Sequence, residues 1–107
     1  MTVGRDEEYR LGATLFRPNL SSLTYRGETH SLSVRQTEIL LMLAENLGNI
    51  VERDAILERI WGDASYANSL ALNVQITYLR RLITDPSLVI TSIKKRGYIL
   101  SVDTKQK

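Results

Sequence analysis

Asn68-Ser69-Leu70-Ala71-Leu72-Asn73-Val74-Gln75-Ile76-Thr77-Tyr78-Leu79-Arg80-Arg81-Leu82-Ile83 carries a strong helical pattern. Leu72, Ile76, Leu79 and Ile83 recur at spacings of four, three and four. At about 100° per residue they stack along one side of a helix and mark its core face. Asn68 or Ser69 is expected to cap the start, since short polar side chains accept the unpaired first-turn N–H groups. Asp85-Pro86 is expected to close the far end. The opposite side gathers Leu70, Val74, Thr77, Tyr78 and Arg81, flanked by Asn73 and Arg80, without one acidic residue.

Such a face suits a DNA major groove. Guanidinium groups pair with phosphate or guanine, an asparagine amide such as that of Asn73 with an adenine edge, and aliphatic side chains with thymine methyls. The same residues also suit a second use, in which Leu70, Val74 and Tyr78 pack on neighbouring strands or dock a partner protein. The residues C-terminal to this helix favour the first use. Val89 to Ile93 and Tyr98 to Val102 are β-rich runs separated by Lys94-Lys95-Arg96-Gly97. They read as a hairpin with a cationic tip, Gly97 supplying the turn. No acid stands between Pro86 and Val102.

Upstream, Ser33 and Gln36 have capping-box spacing, and Ile39, Leu40, Leu43 and Leu47 follow at helical intervals, with Gly48 as the expected left-handed cap. A shorter helix is expected from Arg53 to Trp61, burying Ile56, Leu57 and Ile60 and ending at Gly62. Gly62 to Tyr66 makes the connection to the third helix. From Tyr9 to Ser31 the chain offers Tyr9-Arg10-Leu11-Gly12-Ala13-Thr14-Leu15-Phe16 and Leu23-Thr24-Tyr25, broken by Pro18-Asn19 and Gly27. That pattern predicts a small antiparallel sheet. The order is sheet, three helices, hairpin: an α+β domain over residues 9–102, with a polar leader over 1–8 and a polar tail over 103–107.

The 107 residues, 43% hydrophobic and 24% charged, allow one domain with one modest core. The longest apolar run, Ile39 to Ala44, falls far short of the roughly 20 residues of a membrane span. The polar, acidic start does not read as a signal peptide, so none is expected. With no cysteine and a single histidine, His30, there is neither a disulfide framework nor a metal set. A reducing, cytoplasmic setting fits. No Gly-rich phosphate loop and no nucleophile beside a base is present, so no catalytic site, cofactor or small-molecule substrate is expected. The net charge of +2 hides an asymmetry. Seven Lys/Arg face ten Asp/Glu before Ala64, against seven facing two from Ala64 onward. A basic half points to an anionic partner held by one face.

Together these stretches resemble the OmpR/PhoB-type winged helix-turn-helix family from Tyr9 to Val102. The resemblance rests on Leu47-Gly48-Asn49-Ile50-Val51-Glu52-Arg53-Asp54-Ala55-Ile56-Leu57, Ile60-Trp61-Gly62, Val74-Gln75-Ile76-Thr77-Tyr78-Leu79-Arg80-Arg81, Asp85-Pro86 and Arg96-Gly97-Tyr98-Ile99-Leu100. It implies a four-stranded N-terminal sheet, a three-helix core whose third helix reads double-stranded DNA, and a C-terminal wing. By the same resemblance Asn73, Val74, Thr77 and Tyr78 face bases, Arg80 supports backbone or base contacts, and Arg81 meets phosphate. Trp61 contacts phosphate, anchors the core, or does both. Ser92 touches the DNA backbone, and Lys94, Lys95 or Arg96 supplies the tip. Leu70 departs from the pattern, standing where the family often has a phosphate-binding arginine. The resemblance further implies that the loop from Gly62 to Tyr66 meets RNA polymerase and that copies associate, often head to tail, on DNA repeats.

Within the family the closer likeness is to the ToxR/CadC-like branch, through Lys95-Arg96-Gly97-Tyr98 and through Thr77 and Tyr78 in place of two arginines. This implies the cytoplasmic domain of a membrane-anchored bacterial transcription regulator, read from a native start at Met1. The alternatives are the effector domain of a two-component response regulator and a winged-helix protein-interaction module.

Overall fold

The computed structural model of the chain describes residues 7–103. The expected leader and tail therefore lie, apart from Glu7, Glu8 and Asp103, outside the described residues. Strands β1 (Tyr9–Leu11), β2 (Thr14–Arg17), β3 (Ser22–Tyr25) and β4 (Glu28–Ser31) form an antiparallel sheet in that order. The run from Tyr9 to Phe16 folds back on itself, pairing Tyr9 with Phe16 and Leu11 with Thr14. Gly12 makes the bend possible at φ +64°, a region that side-chain-bearing residues enter only at a cost. Leu11, Phe16 and Leu23 turn to one face and are buried there, the period-two pattern of a half-covered sheet.

Against that face packs α1 (Val34–Glu45), opened by the expected capping box. Gln36 N–H donates to Ser33 Oγ at 3.1 Å, and Ser33 N–H to Gln36 Oε1 at 2.9 Å. Ile39, Leu40 and Leu43 are fully buried. Leu47 is not part of this stripe: the helix ends at Glu45 with Asn46 as its cap, and Leu47 is 40% exposed. Gly48 has the left-handed backbone expected of it, φ +83°, but caps no helix. Its N–H donates instead to Leu100 O at 2.8 Å, tying this turn to the last strand of the chain.

A two-residue strand, β5 (Val51–Glu52), leads directly into α2 (Arg53–Trp61). Ile56 and Leu57 are buried, Ile60 partly so, and Gly62 ends the helix at φ +89° with its N–H on Leu57 O and Glu58 O. The third helix, α3 (Tyr66–Leu82), begins earlier than expected. Its cap is Ser65, whose Oγ accepts from Asn68 N–H at 3.2 Å, so the connection spans only Gly62 to Ser65. Asn68 sits inside the first turn with its side-chain amide on Asp63 O, while the Ser69 hydroxyl is held by Arg53. Neither expected residue is the cap: Asn68 is engaged locally by Asp63 and Ser69 by Arg53 of α2. Leu72, Ile76 and Leu79 form the buried stripe, with Ile83 at the C-terminal cap and partly buried.

Strands β6 (Leu88–Ile93) and β7 (Gly97–Val102) make the hairpin, and β5 joins the free edge of β7 to give the order β5-β7-β6. Gly97 does not supply the turn. The left-handed residue is Lys95, φ +64°, in a turn closed by Arg96 N–H on Ile93 O at 2.9 Å. Glycine is required at position 97 for space, since a Cβ there would stand 2.0 Å from Val51 O.

The link between α3 and the wing carries one buried carboxylate. Asp85 Oδ2 accepts from Ala13 N–H (2.9 Å) and Thr14 Oγ1 (3.0 Å), and Oδ1 from Ser87 N–H (2.9 Å) and Ser87 Oγ (2.7 Å). Burial alone would push this carboxyl upward. The Ser87 hydroxyl and amide, then the Thr14 hydroxyl and the Ala13 amide, outweigh burial and hold it below the ordinary 3.8. One side chain thereby fastens the N-terminal sheet to the start of the wing.

Candidate nucleic-acid interface

With Leu72, Ile76 and Leu79 turned inward, helical geometry turns Leu70, Val74, Thr77, Tyr78 and Arg81 outward. Leu70 and Val74 are each 48% exposed and Tyr78 is 45% exposed. They do not pack on the protein's own strands, so of the uses considered for this face only DNA contact and docking of a partner protein remain. Thr77 donates its hydroxyl to Asn73 O at 3.0 Å, so its Oγ1 keeps only acceptor capacity and its methyl for a ligand. The Arg81 guanidinium lies 5.8 Å from the Tyr78 ring centroid, a cation–π contact that places a charge beside an aromatic plane.

Arg80 and Ser92 are brought together, in a clamp. Arg80 Nε and Nη2 donate to Ile90 O at 3.1 and 2.9 Å, and Nη2 also to Ser92 Oγ at 2.9 Å. The C-terminal turn of α3 is thereby fixed to β6, so the wing's angle to the helix is set by a side chain as well as by the short link through Asp85. Lys94 and Lys95 project from the turn and are exposed. Arg96 differs from the expectation of a free tip residue. It pairs with Glu52 at 2.9 Å, and both side chains are more than half exposed. Such pairs contribute little in water, so a phosphate can displace the carboxylate. Trp61 is half-buried against the core, with the Arg35 guanidinium 4.5 Å over its ring. Its partly buried face packs on the core, as the core-anchor role requires, and the rest of the ring stays open to solvent.

Asn73 is the clearest correction. The sequence reading leaves its amide free for an adenine edge, but Asn73 Oδ1 accepts from Arg53 Nη2 and from Tyr98 Oη, both at 3.1 Å. Arg53 also donates to the Ser69 hydroxyl and to Tyr98 Oη at 3.2 Å. Arg53, Ser69 and Tyr98 were not among the expected functional residues. A signal for Arg53 exists all the same: a cation in the first turn of a helix opposes the helix dipole, and here partners on α3 and β7 offset that cost.

Charge follows the same geometry. Of the two acids from Ala64 onward, Asp85 is buried with its oxygens filled by four donors, and Asp103 follows the last strand. Arg81, Lys94 and Lys95 therefore stand on a surface with no acid on α3 or on either hairpin strand. No group of three or more potential metal ligands occurs among the described residues. No helix there is long and apolar enough to cross a membrane.

A three-helix unit beside a four-stranded sheet, with a hairpin pinned along its last helix, defines a winged helix-turn-helix domain. The chain belongs to the family described as "Transcriptional regulatory protein, C terminal", which residues 27–100 match; it is not a family of enzymes. It is 32% identical over 93 residues to the transcriptional regulatory protein RprY of Bacteroides fragilis, covering 86% of this chain and 39% of RprY. The response regulator DrrB of Thermotoga maritima, an OmpR/PhoB homologue, superimposes with a TM-score of 0.74 at 29% identity, over 88% of this chain and 44% of DrrB. The DNA-binding domain of Klebsiella pneumoniae RstA, solved in complex with the RstA box, shares the fold with a TM-score of 0.76 at 24% identity, over 89% of this chain and 97% of that domain. The chain spans about two fifths of the length of the curated relatives it matches first.

Proposed function

We propose that this chain is the sequence-specific, double-stranded-DNA-binding effector domain of a response regulator of the OmpR/PhoB type, working in the cytoplasm. In this reading α3 enters the major groove and the wing reaches the flanking backbone. The observation that carries it is the uncovered, acid-free face of α3 with a cationic hairpin locked beside it through Arg80. Val74, Thr77 and Tyr78 meet bases; Arg81, Lys94 and Lys95 meet phosphates, joined by Arg96 once Glu52 is displaced. Arg80 and Ser92 hold the wing in place, and Trp61 supports the end of α2.

The likeness to DrrB, a response regulator, supports the effector-domain reading over a ToxR/CadC-like, membrane-anchored regulator. Tyr98 of the Lys95-Arg96-Gly97-Tyr98 motif, which suggested that branch, has a local use here, its hydroxyl joining Arg53 to Asn73. The loop from Gly62 to Ser65 is the proposed contact for RNA polymerase, and copies are proposed to line up head to tail on repeated sites.

Charge reversal tests the assignment. Arg81→Glu and Lys95→Glu are expected to weaken binding to every duplex and to flatten the dependence of log affinity on log salt by about one for each phosphate lost. Thr77→Ala and Tyr78→Ala are expected to change which sequence is preferred, each contact being worth about 1–3 kcal/mol. Equal losses on all sequences for both pairs of variants would defeat the division of roles. Binding indifferent to salt would instead favour docking of a protein on Leu70, Val74 and Tyr78.

A further inference from the structure

We infer that Asn73 is a donor-only reader, selecting a keto base (guanine or thymine) on the strand it faces and rejecting adenine and cytosine. The inference rests on the DNA-binding reading above and adds a base preference to it. An arginine can only donate hydrogen bonds, so the Asn73 atom facing Arg53 Nη2 is the carbonyl oxygen and not the amide nitrogen. Tyr98 Oη reaches the same oxygen at 3.1 Å while itself accepting from Arg53 Nη1 at 3.2 Å. Two donors fill the two lone pairs of Oδ1. The planar amide then holds Nδ2 on the other side of the carbonyl carbon, and Nδ2 has no partner among the described residues. Asn73 itself is exposed on α3.

Reading adenine with both groups of an asparagine amide requires the oxygen to accept from N6 while the nitrogen donates to N7. That oxygen is already committed. What remains is a pair of N–H donors, which an acceptor must meet. In the major groove guanine offers O6 and N7 and thymine offers O4, whereas cytosine presents the N4 amino group and adenine sets its N6 amino group beside N7. A donor-only probe is drawn to the keto oxygens and repelled by the amino groups. In a duplex it distinguishes G·C and T·A from their reversals. Arg53 and Tyr98 are thus positioning residues, and they couple base choice to the seating of β7 beside α3.

Selection from a pool of randomised duplexes by the 107-residue chain tests this directly. The parent chain is expected to enrich guanine or thymine at one position, by about tenfold over adenine and cytosine. Asn73→Asp keeps the shape and the Arg53 partner but turns an acceptor outward, so the same position should change to cytosine or adenine. Tyr98→Phe returns one lone pair to Oδ1 and should admit adenine there, with other positions unchanged. If phosphate repulsion abolishes binding by Asn73→Asp, then Asn73→Ala must flatten that position alone. Adenine enriched by the parent at the Asn73-dependent position, or a preference unmoved by Asn73→Asp and Asn73→Ala alike, would overturn the inference while leaving DNA binding intact. A parent chain that binds no duplex at low salt would overturn the DNA-binding reading itself.

Discussion

Asp85→Asn removes one charge and one acceptor from the junction of sheet, helix and wing without changing the side chain's outline. In the parent chain four donors at 2.7 to 3.0 Å fill both oxygens. An amide oxygen can serve only the two donors on one side; on the other its NH2 group opposes a backbone N–H, while the hydroxyl there can turn to accept from it. One lost hydrogen bond and the loss of charge from the other three are together worth about 3–6 kcal/mol. The lower cost of burying a neutral amide, and water reaching the rim at Ala13, reduce the net loss to about 2–4 kcal/mol. A domain of this size is stable by roughly 5–15 kcal/mol, so the variant folds but melts lower. The expected fall in Tm at pH 7 is about 10–25 °C, measured by circular dichroism.

The pH dependence supplies an internal control. The folded-state carboxyl lies below its ordinary value of 3.8, so its ionisation favours folding at all pH values above that range. The contribution fades as pH falls through the folded value, where the parent carboxyl takes up a proton. The melting curves of parent and variant should therefore converge on acidification. A Tm within about 3 °C of the parent at pH 7, or a gap that persists undiminished in strong acid, would refute the assignment of Asp85 as an ionised staple.

Two further perturbations address the wing. Gly97→Ala would set a Cβ 2.0 Å from Val51 O. Because that neighbour is backbone, β5 must part from β7 at a cost of about 2–4 kcal/mol; an unchanged denaturant midpoint would contradict this. Glu52→Gln releases Arg96 from its exposed ion pair and should leave stability within about 0.5 kcal/mol. Duplex affinity at low salt should rise and the salt slope steepen by about one. Identical titrations would mean that Arg96 makes no phosphate contact.

Local periodicity and capping chemistry were readable from the residues alone. The stripe of Leu72, Ile76 and Leu79 assigned a core face to the third helix, and by subtraction the exposed face of Val74, Thr77 and Tyr78. The capping box of Ser33 and Gln36 and the stop at Gly62 are likewise short-range and were legible. Features that depend on residues distant in the chain emerged only on folding. Ser65 caps α3, while Ser69, one of the expected caps, lies inside the helix with its hydroxyl held by Arg53 of α2. Gly97 is glycine because of Val51, on a strand that precedes two helices and β6 in the chain; no turn rule contains that clash. β5 is too short to show any alternation and exists because β7 offers a free edge. Asn73 looks free in the sequence, and its amide was oriented only when α2 brought Arg53 and β7 brought Tyr98 to the same oxygen. Periodicity says which way a side chain points, whereas the donors and acceptors still open to it depend on neighbours that only folding brings together.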